Sequence, residues 1–90
     1  MKKTSRELER IIKGFANHRR LQVLELLYKQ PELSVHEISE KLKSEFKIIS
    51  AHVNKMAIAG LVMKRHEGNI IRHKLTNRGK SILKFVRIIE

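Results

Sequence analysis

A mainly α-helical single domain with one small β-hairpin, in the order α-α-α-α-β-β-α, is the fold that this 90-residue sequence predicts. Three observations carry the prediction. Two short helical patterns, SVHEISEKL and EFKIISAHVNKMAIAG, are separated only by Lys43 and Ser44. After Gly60 the period shortens, and β-formers flank Glu67-Gly68-Asn69 on both sides. The chain holds no linker, repeat or low-complexity run, and its length suits one small core.

The elements follow in order. Met1–Ser5 reads as a loose basic arm. From Arg6 to about Gly14, Leu8, Ile11, Ile12 and Phe15 recur at helical spacing, with Gly14 expected to end or weaken the helix. Asn17 is placed to cap a second helix whose Leu21, Leu24, Leu27 and Tyr28 form an apolar stripe, and Pro31 stops it. The polar side chains of His18, Arg19 and Arg20 suit either a phosphate or a solvated first turn. Val35, Ile38 and Leu42 share one face of the third helix.

In the fourth helix, over about 45–59, Ile49, Val53 and Met56 share a face, with Phe46 beside them. Lys47, Ala51 and Asn54 lie opposite, flanked by Ser50 and Lys55. Ser44 is the expected N-cap, and Gly60 suits the left-handed residue that closes the helix. The hairpin over 61–75 turns Val62, Ile71 and Leu75 to the core, leaving Lys64, Arg65, His66, Arg72 and Lys74 as a basic ribbon. Thr76 caps a last helix running to the terminus. Two short helices across a tight turn make a helix-turn-helix, and the basic ribbon after them makes the layout a winged helix-turn-helix.

Charge points to the partner. The formal net charge is +11, and it is unevenly placed. Residues 43–80 hold nine basic and two acidic side chains, a balance of +7, against +3 for residues 1–42 and +1 for the last ten. Positive charge concentrated on a small domain suits a polyanion, because neutralising phosphates releases counterions. A basic surface kept only for solubility has no reason to be so local. On this reading Lys47, Ser50 and Asn54 contact bases or nearby phosphates of double-stranded DNA, Asn54 being able to grip adenine with both amide atoms. Lys43, Lys55, Lys64, Arg65, Arg72 and Lys74 hold phosphates and set the register.

The last helix is too apolar for one small domain. Ile82, Leu83, Phe85, Val86, Ile88 and Ile89 spread beyond the stripe of roughly 100° that a surface helix needs. Either all six pack inside the monomer, or they join Leu8, Ile11, Ile12 and Phe15 in an interface with a second copy. The terminal helices, about 6–14 and 77–90, are the expected homodimer interface.

Four stretches carry a family likeness: ANHRRLQVLELL (16–27), ELSVHEISEKL (32–42), MAIAGLV (56–62) and RHEGNIIRHKLT (65–76). They resemble the ArsR-type family of prokaryotic winged-helix repressors, and LTNRG (75–79) resembles the junction in MarR- and PadR-type regulators. The resemblance implies a homodimeric, sequence-specific DNA-binding repressor. Carried over, the family's DNA-facing positions fall on Lys47, Ile48, Ser50, Ala51, His52 and Asn54, and its wing contacts on Arg65, His66 and Asn69. Two departures matter: the family often has a basic residue where Ala51 stands and a small polar one where Ile48 stands. Many members sense metal through a Cys-x-Cys, and Ser34 and His36 stand at those positions. The family's other metal site uses Asp/His pairs on the last helix, which has none. No metal and no cofactor is expected.

Competing functions make distinct demands. A protein-interaction module would not need the charge asymmetry. A non-specific DNA-coating protein, or a shape reader of double-stranded RNA, would share the basic surface without sequence preference. An enzyme is not expected: cysteine is absent, the acids are scattered, and the glycines stand singly with no phosphate-cradling loop. Without an apolar run of about 20 residues or a signal-like start, a cytoplasmic, nucleoid-associated protein is expected.

Overall fold

The computed structural model describes residues 2–90, and five helices and one hairpin follow in the expected order. Met1, part of the expected basic arm, lies outside the described residues. Helix α1 spans Ser5–Phe15 and starts earlier than expected, because Thr4 and Glu7 close a capping box. The Thr4 Oγ1 accepts from the Glu7 N–H, and the Glu7 carboxylate accepts from the Thr4 N–H, each at 3.1 Å. Gly14 does not end the helix. It is buried inside α1, and a Cβ there would collide with that of Ala59. Glycine lets α1 pack closely on the helix that Ala59 terminates.

Helix α2 spans His18–Lys29, with Asn17 Oδ1 accepting from the N–H groups of Arg19 and Arg20 at 2.9 and 3.3 Å. Its buried residues are Val23, Leu24 and Leu27. Tyr28, expected in the stripe, is half exposed under the Arg87 guanidinium, 4.8 Å from the ring centroid. The core lies toward Val23, so the far edge of the predicted stripe faces out. Helix α3 spans Val35–Leu42, capped by a box between Ser34 and Glu37. Helix α4 spans Phe46–Ile58.

The turn between α3 and α4 is built by Lys43, whose φ of 53° is left-handed. The amides of Lys43 and Ser44 return to the carbonyls of Glu40 and Ser39. Ser44 is therefore a turn residue, and Glu45 takes the N-cap position of α4 without a side-chain bond. At the other end, Gly60 at φ 78° closes α4. Its N–H donates to the Ala57 carbonyl, and the next, from Leu61, to that of Met56, the paired bonds of a Schellman ending.

Strands β1, Val62–Glu67, and β2, Ile70–Leu75, pair antiparallel, with Val62 opposite Leu75 and Glu67 opposite Ile70. Gly68 supplies the positive φ at the tip. Val62 and Leu75 enter the core as expected, whereas Ile71 is exposed. It lies too far along the ribbon, and the inward position between Ile71 and Leu75 belongs to His73, 2% exposed. Helix α5 spans Asn77–Ile88, with Thr76 Oγ1 accepting from the Gly79 N–H.

One aliphatic core joins these elements. Val23, Leu24, Leu27, Leu33, Ile38, Ile49, Val53, Met56, Leu61, Val62, Leu75 and Leu83 are buried together. Leu83, expected in an intermolecular interface, is a core residue of the single chain at 4% exposure. Phe15 and Ile82 pack partly against the same core. The rest of the terminal apolar surface stays open: Ile12 is 52% exposed, Phe85 49%, Ile88 73% and Ile89 64%.

Candidate nucleic-acid interface

Helix α4 owes its orientation to three residues. Ile49, Val53 and Met56 are fully buried, fixing the helix by its apolar face. The opposite face is then turned out: Lys47, Ile48, Ala51, Asn54 and Lys55 are exposed, and Ser50 is partly so. Phe46, expected on the core side, is exposed because it starts the helix beyond the core's edge. Its ring meets that of His36 at 6.4 Å instead.

His52 lies at the edge of this face, partly covered. Arg20 Nε donates to its Nδ1 at 3.1 Å, and another Arg20 nitrogen donates to the Lys13 carbonyl at 2.7 Å. Because an arginine N–H only donates, the bond requires an unprotonated His52 Nδ1. Burial, then the charge of Arg20, pushes the His52 pKa down. Arg20 thus braces α2 against α4, a role that the sequence did not reveal. Arg19 is also engaged within the fold, donating to Gln22 and to the Leu42 carbonyl.

The hairpin stands beside α4 and encloses, with α3, a cleft of about 610 Å³. Val35, Phe46, Ile70 and Ile71 give the cleft apolar lining, and Ser50, Asn54, Lys64 and Asn69 give it polar lining. Lys64 Nζ donates to Asn54 Oδ1 at 2.6 Å, joining ribbon to helix. His66 and Asn69 are exposed toward the ribbon's tip.

The basic side chains of the ribbon do not form one surface. Lys64 lies opposite His73 in the register and Lys74 opposite Met63, so strand alternation puts the two lysines on opposite faces. Lys74 lines a separate cavity with Tyr28, Met63 and Lys80. Arg65 and Arg72 are held by carboxylates: Arg65 by Glu32 and Glu67, Arg72 by Glu37 and Glu67. The sequence reading counted both arginines as free phosphate contacts. Glu67 is local to both, but Glu32 and Glu37 lie 33 and 35 residues away from Arg65 and Arg72, beyond the reach of any local pattern.

His73 was also missed, although alternation between Ile71 and Leu75 marked it as inward-facing. Its Nδ1 lies 3.0 Å from the Leu33 carbonyl, and burial pushes its pKa down. At the positions of the family's paired cysteines, Ser34 caps α3 and His36 Nε2 lies 2.8 Å from Glu40. Among the described residues, no three acidic or histidine side chains converge as metal ligands would. No helix among them is long and apolar enough to cross a membrane.

A helix-turn-helix with an outward basic face and an adjoining ribbon is the geometry of a winged helix. The family profile described as bacterial regulatory protein, arsR family, matches residues 17–64. The chain belongs to the ArsR family. It is 35% identical over 77 residues to the transcriptional activator HlyU of Vibrio cholerae, an alignment covering 86% of this chain and 70% of HlyU. The HlyU structure superimposes with a TM-score of 0.82 at 31% identity, over 99% of this chain and 97% of the other. A homodimeric winged helix-turn-helix DNA-binding domain from Mycobacterium bovis gives 0.82 at 25% identity, over 98% and 87%. The transcriptional repressor PagR of Bacillus anthracis gives 0.79 at 26% identity, over 90% and 93%. This ArsR-family chain is accordingly a transcriptional regulator with a winged helix-turn-helix DNA-binding fold.

Proposed function

We propose that this ArsR-family regulator binds a two-fold operator in double-stranded DNA as a homodimer and represses transcription by occupying it. The observation that carries the reading is the division of α4. Ile49, Val53 and Met56 on its apolar side are fully buried, and its short polar side is exposed within residues 43–80, the most basic segment of the chain. Small side chains such as Ser50 and Ala51 let a helix approach base edges closely, while Lys47 and Asn54 supply the hydrogen bonds. Helix α4 enters the major groove by this face. Ile48 offers an apolar surface to a thymine methyl.

The wing over 61–75 lies along the backbone and minor groove. Lys64, His66 and Asn69 extend the contact there, with Lys43 and Lys55 on flanking phosphates. Lys74, on the far face of the ribbon, contributes only to the general positive field.

Dimerisation is supported by Leu8, Ile11, Ile12, Phe85, Val86, Ile88 and Ile89, apolar side chains of α1 and α5 that one chain leaves partly or largely open. The partly covered Phe15 and Ile82 border them. Two copies related by a two-fold axis place their recognition helices about 34 Å apart, one turn of DNA. Sedimentation of the protein with a duplex operator tests the stoichiometry: two chains per duplex supports the reading, and one chain contradicts it. Run-off transcription from a promoter overlapping the operator should fall as protein is added, and a rise would exclude repression.

A further inference from the structure

The wing's two arginines and three surrounding glutamates form a closed network. Arg72, with its side chain 23% exposed, donates to Glu37 Oε1 at 3.1 Å and to the Glu32 carbonyl at 3.2 Å, and its Nε lies 3.7 Å from Glu67. Arg65 donates to Glu32 at 3.2 Å and to Glu67 at 2.9 Å. Three carboxylates against two guanidiniums leave this part of the surface with no surplus of positive charge.

The same place holds a backbone seam. The Glu32 N–H donates to the His73 carbonyl at 2.8 Å, and the His73 N–H donates to the Leu33 carbonyl at 2.9 Å. The short segment after Pro31 thereby joins β2 through an isolated antiparallel bridge, Leu33 opposite His73. Glu32 adopts a φ of 70° to do so, a conformation that non-glycine residues seldom take. Under this seam sits the buried His73.

We infer that Arg72, supported by Arg65, is a positioning residue that latches the wing to the α2–α3 connection, and is not a phosphate contact. A lone exposed ion pair would be too weak to fix anything. Here several pairs share partners, one arginine is largely covered, and a backbone acceptor completes its shell. The latch sets the angle of the ribbon beside α4, and therefore whether Lys64 and Asn69 meet DNA together with Lys47 and Asn54. Its consequence for DNA rests on the proposed operator binding, whereas the latch itself is a property of the free protein.

The decisive variant is Glu37→Gln, because the Gln Oε1 can still close the capping box of α3 while the bond it accepts from Arg72 loses its charge assistance. Removing a carboxylate makes the protein more cationic, so simple attraction predicts tighter DNA binding. The latch predicts the opposite sign, a several-fold loss. Arg72→Gln should leave the slope of log affinity against log salt unchanged, while Lys64→Gln lowers it by about one. Tighter binding by Glu37→Gln, or a slope lowered by about one in Arg72→Gln, would overturn the inference.

Amide exchange in the free protein reads the latch without DNA. Glu37→Gln and Arg72→Gln should each speed exchange at Glu32 and His73 several-fold, and Lys64→Gln should not. Unchanged exchange in both latch variants would overturn the inference. If the wild type bound no duplex, the DNA reading would fall and the exchange result would still decide the latch.

Discussion

The Lys64 ammonium on β1 donates to Asn54 Oδ1 on α4 at 2.6 Å, so the wing and the proposed recognition helix meet at one amide. In the free protein Asn54 therefore has its acceptor engaged and its amide N–H groups available. Its Oδ1 keeps a second lone pair, so adenine can be gripped with both amide atoms whether Lys64 stays or moves to a phosphate. The two residues are expected to separate in mutagenesis. Asn54→Ala should cost ~1–3 kcal/mol on the operator and nothing on unrelated duplexes. Lys64→Gln should weaken both alike. Fluorescence anisotropy with matched and scrambled duplexes distinguishes them, and equal losses for Asn54→Ala on both would remove it from base reading.

The open apolar surface of α1 and α5 makes a second prediction. Ile12→Glu and Phe85→Glu each place a charge where the account puts a second chain, and both residues are about half exposed in the monomer. Each variant should stay folded by circular dichroism, sediment as a monomer and lose the two-fold operator. Retained dimers in both would move the interface elsewhere.

Gly14 tests the packing of α1 on α4. An added Cβ meets that of Ala59, so Gly14→Ala must push the two helices apart despite alanine's better helix propensity. Overpacking of this kind costs ~1–3 kcal/mol. For a domain this small each kcal/mol lowers the melting temperature by roughly 4–8 °C. A variant that melts at or above the wild-type temperature would show that the helices are not in close contact there.

Acid should weaken the fold before the carboxylates titrate. His73 and His52 both have pKa values pushed below the ordinary histidine value, chiefly by burial. The unfolded chain then binds protons that the folded chain does not, so stability rises with pH across that window. It should be fully present above about pH 6.5 and fall as pH drops through the folded pKa values. Glu7, Glu25 and Glu37, whose pKa values are lowered by hydrogen bonds, add their loss only below the usual carboxylate range. Urea titrations at pH 8, 7, 6 and 5 measure the slope, and His73→Gln, which does not titrate there, should remove part of it. An unchanged slope in that variant would mean that His73 titrates normally.

Much of this architecture was legible because its determinants are local. Asn17 and Thr76 cap helices within three residues of themselves, and Gly60 ends α4 through its own positive φ. The buried trio Ile49, Val53 and Met56 follows from helical periodicity alone. Ile71 and His73 follow from strand alternation alone, but other misplaced residues have environments set by distant chain. Gly14 reads as a stop until Ala59 is seen against it. Leu83 reads as surplus apolar surface until the core is found to reach that far along α5. Arg65 and Arg72 carry the same charge as Lys64, and only the fold brings Glu32 and Glu37 to them.

The claim on which the account turns is that this ArsR-family chain reads a two-fold DNA sequence as a dimer. Selection from a pool of short random duplexes at two salt concentrations, with sequencing of what stays bound, tests it most directly. The account predicts a two-fold motif with half-sites about ten base pairs apart, recovered more sharply at the higher salt. Duplexes retained without a motif, or none retained at low salt, would contradict it.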